Sequence, residues 1–200
     1  MRYLALHLRS RRVPAALTAA AGGTVLMWSV VAAFSETRDA DLTMVVLLVL
    51  LLAASSAHTL GGPDDALERT SSRSWPPLRA AHLLAALAVI LALVLVTLVT
   101  MARFGPAALV LRDAAGLIGL TALGAVVLGA ARSWFLPLAW TLPALMLPYG
   151  GTAVAGQILT WQSQPHDNRA AAVTATVVAV AGLVVYAVRG PALRDAGSTA

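Results

Sequence analysis

Arg112 and Asp113 stand side by side at the head of an apolar run, shortly after Phe104-Gly105-Pro106. A charge at membrane depth is costly unless it is paired or faces a polar cavity. The pair therefore reads either as a structural ion pair at the outer membrane face or as part of a substrate passage. Pro143, Pro148 and Tyr149 are further candidates for such a passage or its outer gate, because prolines free helix carbonyls that only protein or a water-lined cavity can satisfy within lipid. A second charged set occupies residues 64–79, where Asp64, Asp65 and Glu68 lead and Arg69, Arg73 and Arg79 trail. Acid first and base last suits the dipole of a short helix. Such a piece could lie along the membrane and dock another protein, or it could be a solvated charged loop.

Residue type excludes much other chemistry. The chain has no cysteine, hence no disulfide, thiolate metal site or cysteine nucleophile. All 14 basic residues are arginine, which removes a Walker lysine and a Schiff-base lysine. His7, His58, His82 and His166 show no helical spacing of three or four, so no metal site is expected. No HExxH, Gly-x-Ser-x-Gly elbow, Walker loop or paired acidic motif is present. The chain is not expected to be an enzyme, and no cofactor of its own is expected.

The elements that position these residues are set by composition. Of 200 residues 59% are hydrophobic and only 12% charged, and the mean hydropathy is +0.81, so lipid must solvate most of the chain. A span needs about 20 apolar residues. A separate soluble domain does not fit beside six spans. The expected fold is an all-α polytopic membrane protein, one transmembrane domain over residues 1–200, with spans at 13–34, 42–60, 78–101, 113–131, 134–148 and 170–188. The basic start, with Arg2, Arg9, Arg11 and Arg12, looks like a secretory signal, but the apolar run behind it is too long for one and is read as an uncleaved first span. Pro76-Pro77 are expected to separate the charged loop from the third span.

Arginine placement orients this arrangement, since positive charge is retained in the cytoplasm. With the start inside, Arg2, Arg9, Arg11, Arg12, Arg69, Arg73, Arg79, Arg132, Arg189 and Arg194 are cytoplasmic, and only Arg38, Arg103, Arg112 and Arg169 are outside. Both termini are thus expected in the cytoplasm. The net charge of +5 serves this topology, and no nucleic-acid partner is expected. Trp75, Trp134, Trp140, Trp161 and Tyr186 mostly lie near span ends and are read as interface anchors against membrane lipid.

Two spans depart from plain apolar helix. In the fourth, Ala115, Gly119, Ala122, Ala125 and Gly129 fall on one helical face. Such a small-residue seam lets backbones approach closely, either within this chain or between subunits. In the fifth, Pro137, Pro143 and Pro148 predict a kinked or broken helix, and residues 152–159 are too apolar for an ordinary loop. A re-entrant or interfacial hairpin on the outer face, or a surface loop, follows between helices five and six.

This order of features resembles the membrane (permease) subunits of type-2, export-kind ABC transporters in their small actinobacterial form. The likeness rests on 66–70 with 78–83, on Leu111-Arg112-Asp113 with 116–120, and on 129–138. The resemblance implies a transmembrane subunit of an ATP-driven exporter in a bacterial plasma membrane, moving a hydrophobic or amphipathic substrate. It implies an ATPase-coupling loop carrying Asp65, Glu68, Arg69, Arg73 and Arg79. The partners would be an ABC ATPase subunit dimer, which holds the ATP and Mg, and a second permease copy or a paralogous permease. The alternative is a six-span substrate-binding or assembly subunit without ATPase coupling.

The topology has a direct check. Ser74→Cys introduces a lone thiol and should resist an impermeant maleimide applied to intact cells but react after the membrane is opened. Labelling from outside would invert the topology.

Overall fold

The computed structural model describes residues 13–61, 75–147 and 153–192. These contain seven α-helices and no strand among the described residues. The helices are α1 (Val13–Phe34), α2 (Leu42–Ala57), α3 (Trp75–Leu95), α4 (Ala107–Leu128), α5 (Phe135–Met146), α6 (Val154–Leu159) and α7 (Arg169–Arg189). Four of them, α1, α3 with its 3-10 extension, α4 and α7, are long and apolar enough to cross a membrane. Helix α2 has 16 residues and α5 has 12, about 24 and 18 Å at 1.5 Å per residue.

Local chemistry sets the boundaries. Asp41 starts α2 by accepting the Thr43 N–H at 3.0 Å, one of the donors a helix start leaves without a partner. Helix α3 begins at Trp75, so Pro76 and Pro77 lie inside its first turn rather than ahead of the span. A missing N–H costs nothing there, because first-turn donors have no helical acceptor. The same helix tightens to a 3-10 turn at Val96–Val99, four residues that end short of the expected 101. Helix α4 starts six residues before the expected 113, behind Pro106, and stops at Gly129, whose φ of 79° is open to glycine at little cost. Asn168 caps α7 through the Ala171 N–H at 3.0 Å.

Helices α1 to α5 and α7 run alternately between two ends of one bundle. At the first end, the connections after α1 and after α3 pair as backbone: Ala40 N–H donates to the Arg103 carbonyl, and Arg103 N–H to that of Arg38, both at 2.7 Å. Trp28 adds a bond from its indole N–H to Thr100 Oγ1 at 2.9 Å. At the second end, Tyr186 Oη donates to the Leu60 carbonyl at 2.6 Å, and the Ala192 N–H to that of Ala125 at 2.9 Å. Arg38, Arg103, Arg112 and Arg169 thus sit toward one end, and Arg79, Arg132 and Arg189 toward the other.

Helix α4 is the axis of the bundle. In its span 72% of residues are buried, against 17–22% in the other three long helices. Its closest partner is α7. A Cβ on Gly119 would lie 2.6 Å from both the Val178 carbonyl oxygen and Ala179 Cα, and one on Gly182 would strike the Gly119 backbone. Backbone meets backbone at that crossing, which is how helices gain dispersion energy where lipid removes the hydrophobic drive between them.

The outside of the bundle is apolar. Along α7 the buried positions include Ala171, Ala175 and Gly182, whereas Val173, Val177, Val180, Val184 and Val188 are exposed. Phe34, Val99 and Val127 are also exposed. Small residues inside and branched aliphatics outside invert the pattern of a water-soluble protein, and support a membrane-embedded bundle.

Gly119→Val should therefore cost stability heavily, beyond the roughly 1–3 kcal/mol typical of overpacking, because the obstacle is backbone rather than a movable side chain. Gly22, with nothing within 4 Å of its added Cβ, should accept valine with little change. Thermal unfolding of the two variants in the same detergent compares them directly.

Candidate functional site

The most polar place in the described bundle is the junction of α4 with residues 160–165. Starting α4 at Ala107 puts Arg112 and Asp113 in its second turn, inside the helix rather than ahead of it, and both are buried. Arg112 Nε donates to Asp113 Oδ1 at 2.9 Å. Its Nη1 donates to the Pro165 carbonyl at 2.9 Å, and Nη2 to the carbonyls of Gln162 and Gln164 at 3.2 and 3.0 Å. One guanidinium thus serves a carboxylate and three backbone acceptors across some 50 residues of sequence.

The chain needs that many donors because of what α6 leads into. After Leu159 it enters a 3-10 turn, Trp161–Ser163, and then extends through Gln164 and Pro165. Carbonyls in such a stretch have no helical partner, and lipid offers none. Arginine presents five N–H groups in a planar fork and stays charged. Asp113 balances that charge at contact distance.

Packing fixes the turn from the other sides. The Trp161 ring is wholly buried, and it lies where a Cβ on Gly116 would be. Gly116 is three residues beyond Asp113, on the same side of α4. Ser163 Oγ donates to the Ala144 carbonyl of α5 at 3.1 Å. A continued helix would serve that carbonyl from residue 148, but Pro148 has no N–H to give. Trp140 Nε1 donates to the Leu159 carbonyl at 3.1 Å. Gln164 Nε2 donates to Thr160 Oγ1 at 2.8 Å, and Asn168 Nδ2 to Gln157 Oε1 at 3.2 Å.

Comparison with protein-family models, with curated proteins and with solved structures finds no match.

The residues singled out in the sequence are dispersed. Arg112 and Asp113 form the centre just described. Pro143 lies inside α5, one turn before it ends, while Pro148 and Tyr149 fall outside the described residues. Gly119, Ala122 and Ala125 are buried along α4, Ala115 is half-buried, and Gly129 lies past the helix end as its C-cap. The expected seam is thus shorter than five positions, because the φ of 79° at Gly129 turns the chain out of the helix.

The coupling-loop residues Asp65, Glu68, Arg69 and Arg73 fall outside the described residues. Arg79 does not belong to a loop. It lies in the second turn of α3, buried, with its guanidinium against Gly190 at the end of α7. A cation there meets the negative end of the α7 dipole. His82 Nε2 pairs with Thr59 Oγ1 at 3.0 Å nearby, tying α3 to the end of α2.

Sequence reasoning missed Gly116, Gly182 and Gln162, and took Trp161 and Tyr186 for interface anchors although both are wholly buried. A usable signal existed for the glycines: Gly116 lies three residues before Gly119 on α4, and Gly182 is the lone glycine of α7. No sequence pattern announced Gln162.

Arg112→Ala should destabilise by about 3–5 kcal/mol, the usual cost of stranding a buried partner charge, and three carbonyls lose their donor as well. Arg112→Lys should recover only part of this, since one ammonium cannot reach all four acceptors in a plane. The melting temperatures of the two variants, and protease cleavage within 160–168, would show whether the turn has come loose.

Proposed function

We propose that this chain is the transmembrane subunit of an ATP-driven exporter, with six passes and both termini in the cytoplasm, working with a separate ATPase dimer to move a hydrophobic or amphipathic substrate. The observation that carries the reading is the short helix and turn at 154–165, anchored to the buried Arg112 between α5 and α7. A re-entrant element in that position is what the resemblance to type-2 export permeases implies. Two further features support it. The described arginines divide between the two ends as a six-pass topology requires, and the end bearing Arg79, Arg132 and Arg189 also receives both flanks of the 62–74 segment.

In this reading the ATPase presses on 64–74. Force passes into α3 at its first turns, where Arg79 meets the end of α7 and His82 meets the end of α2. The first turns of α3 would therefore move together with the ends of α2 and α7. Substrate would travel along the apolar outer surface or between two such subunits, and the chain itself would hydrolyse nothing. Plasma-membrane residence in a bacterium belongs to the same proposal.

Coexpression with a candidate ABC ATPase, sought first in the open reading frames that neighbour this chain's gene, provides the test. The two should copurify in detergent, and nanodisc-reconstituted complexes should show substrate-stimulated ATP hydrolysis. Glu68→Ala and Arg69→Ala should weaken that stimulation by about 5-fold or more, the lower range of a coupling free energy between sites, with helical content unchanged. Failure to associate would favour an uncoupled substrate-binding or assembly subunit, and normal stimulation in both variants of an associated complex would overturn the coupling-loop assignment.

A further inference from the structure

Arg112 accounts for one oxygen of Asp113 and for the backbone carbonyl of Gln162, but not for the polar atoms beside them. Asp113 Oδ2, Trp161 Nε1 and both amide atoms of Gln162, Nε2 and Oε1, are fully buried and have no hydrogen-bond partner among the described residues. All three residues have no exposed surface. They belong to one neighbourhood: Arg112 bonds both Asp113 and the Gln162 carbonyl, and Trp161 precedes Gln162 and packs on Gly116, one turn from Asp113. Buried polar groups are almost always satisfied, and each exception calls for a partner.

The chemistry of the set selects that partner. Asp113 Oδ2 and Gln162 Oε1 accept hydrogen bonds, whereas Trp161 Nε1–H and the Gln162 Nε2 hydrogens donate them. A bare metal ion would face two N–H groups and the neighbouring guanidinium. An anion would face the Asp113 carboxylate. A neutral O–H group both donates and accepts, and buried water typically makes about three such bonds. We propose that Asp113, Trp161 and Gln162 form an internal water-binding site between α4 and the turn at 161–165. This site stands on the packing alone and does not depend on the exporter reading. Water held there hydrates the carboxylate oxygen that Arg112 leaves over, at a depth where bulk water does not reach.

Hydroxyl radicals made by an X-ray pulse label side chains that touch bound water even when they are buried, so Trp161 is its own reporter. The full chain is reconstituted in phosphatidylcholine nanodiscs, whose headgroup carries no O–H, and oxygen uptake is read by mass spectrometry. Trp161 should take up oxygen despite its complete burial. Gln162→Leu should abolish that uptake while labelling of Trp134 and Trp140 is unchanged. Gln162→Met, a closer match in shape, serves if the leucine variant is polydisperse. An unlabelled Trp161 in the native chain overturns the proposal, and that result needs no variant. Equal labelling in the native chain and the folded variant also overturns it, since uptake would then come from opening of the fold. Labelling confined to nanodiscs of phosphatidylglycerol, whose headgroup bears hydroxyls, would assign the site to a lipid O–H and overturn the assignment to water.

Discussion

The fold depends on placing one guanidinium inside α4. The turn at 161–165 exposes carbonyls that neither a helix nor lipid can satisfy, and Arg112 reaches three of them while pairing with Asp113. An unpaired charge buried there would be strongly destabilising. The acid beside it and the carbonyl dipoles around it make the charge tolerable. Arginine is required by the number of acceptors as much as by their charge, because an ammonium offers three donors around a point and not a fork. The turn holds Arg112 in place, and Arg112 holds the turn.

Much of the remaining packing follows from that choice. For the turn to come within reach of Arg112, the Trp161 ring must lie on α4, and Gly116 leaves the space it occupies. For α4 to be enclosed on its other sides, α7 must approach as closely as backbone allows, which Gly119 and Gly182 permit. The last turn of α4 is met by the turn at Ser133, whose backbone lies where a Cβ on Gly124 would be. Three glycines of one helix therefore serve three different neighbours, and that explains why α4 is so much more buried than the other long helices. A single seam on one face could not have enclosed it.

The parts of this arrangement legible in the sequence are those governed by hydropathy. The bounds of α1 coincide with the apolar run 13–34, and α7 lies within one residue of its expected ends, because lipid solvation acts on every residue of such a run alike. The boundaries misjudged were those set by a tertiary partner. From hydropathy Arg112 and Asp113 are expected at the head of the fourth span, with Asp113 its first residue. They lie inside it because a segment 50 residues later supplies their partners. Arg79 is expected as the last base of the charged loop 64–79, whereas it lies in α3 and Gly190 makes room for it at the end of α7. Hydropathy scores a side chain against lipid, but not against a partner whose position depends on the fold itself.

The prolines of α5 show the same logic from the backbone side. Pro143 cannot donate to the Ala139 carbonyl, and Pro148 could not donate to that of Ala144. In a lone helix both omissions would be defects. Here the Ala144 carbonyl receives Ser163 Oγ from the turn that Arg112 holds, and Trp140 reaches across to the Leu159 carbonyl. The break in α5 and the irregular backbone after α6 thus satisfy one another, and neither would persist at membrane depth without the other. Arg112 fixes that mutual arrangement to the central helix, so a displacement of α5 and the turn relative to α4 must either carry Arg112 with it or expose three carbonyls at once. Motion of this end of the bundle is therefore constrained to be collective, whereas α1, buried over only 17% of its span and bonded through Trp28 to Thr100, is not tied to Arg112 among the described residues.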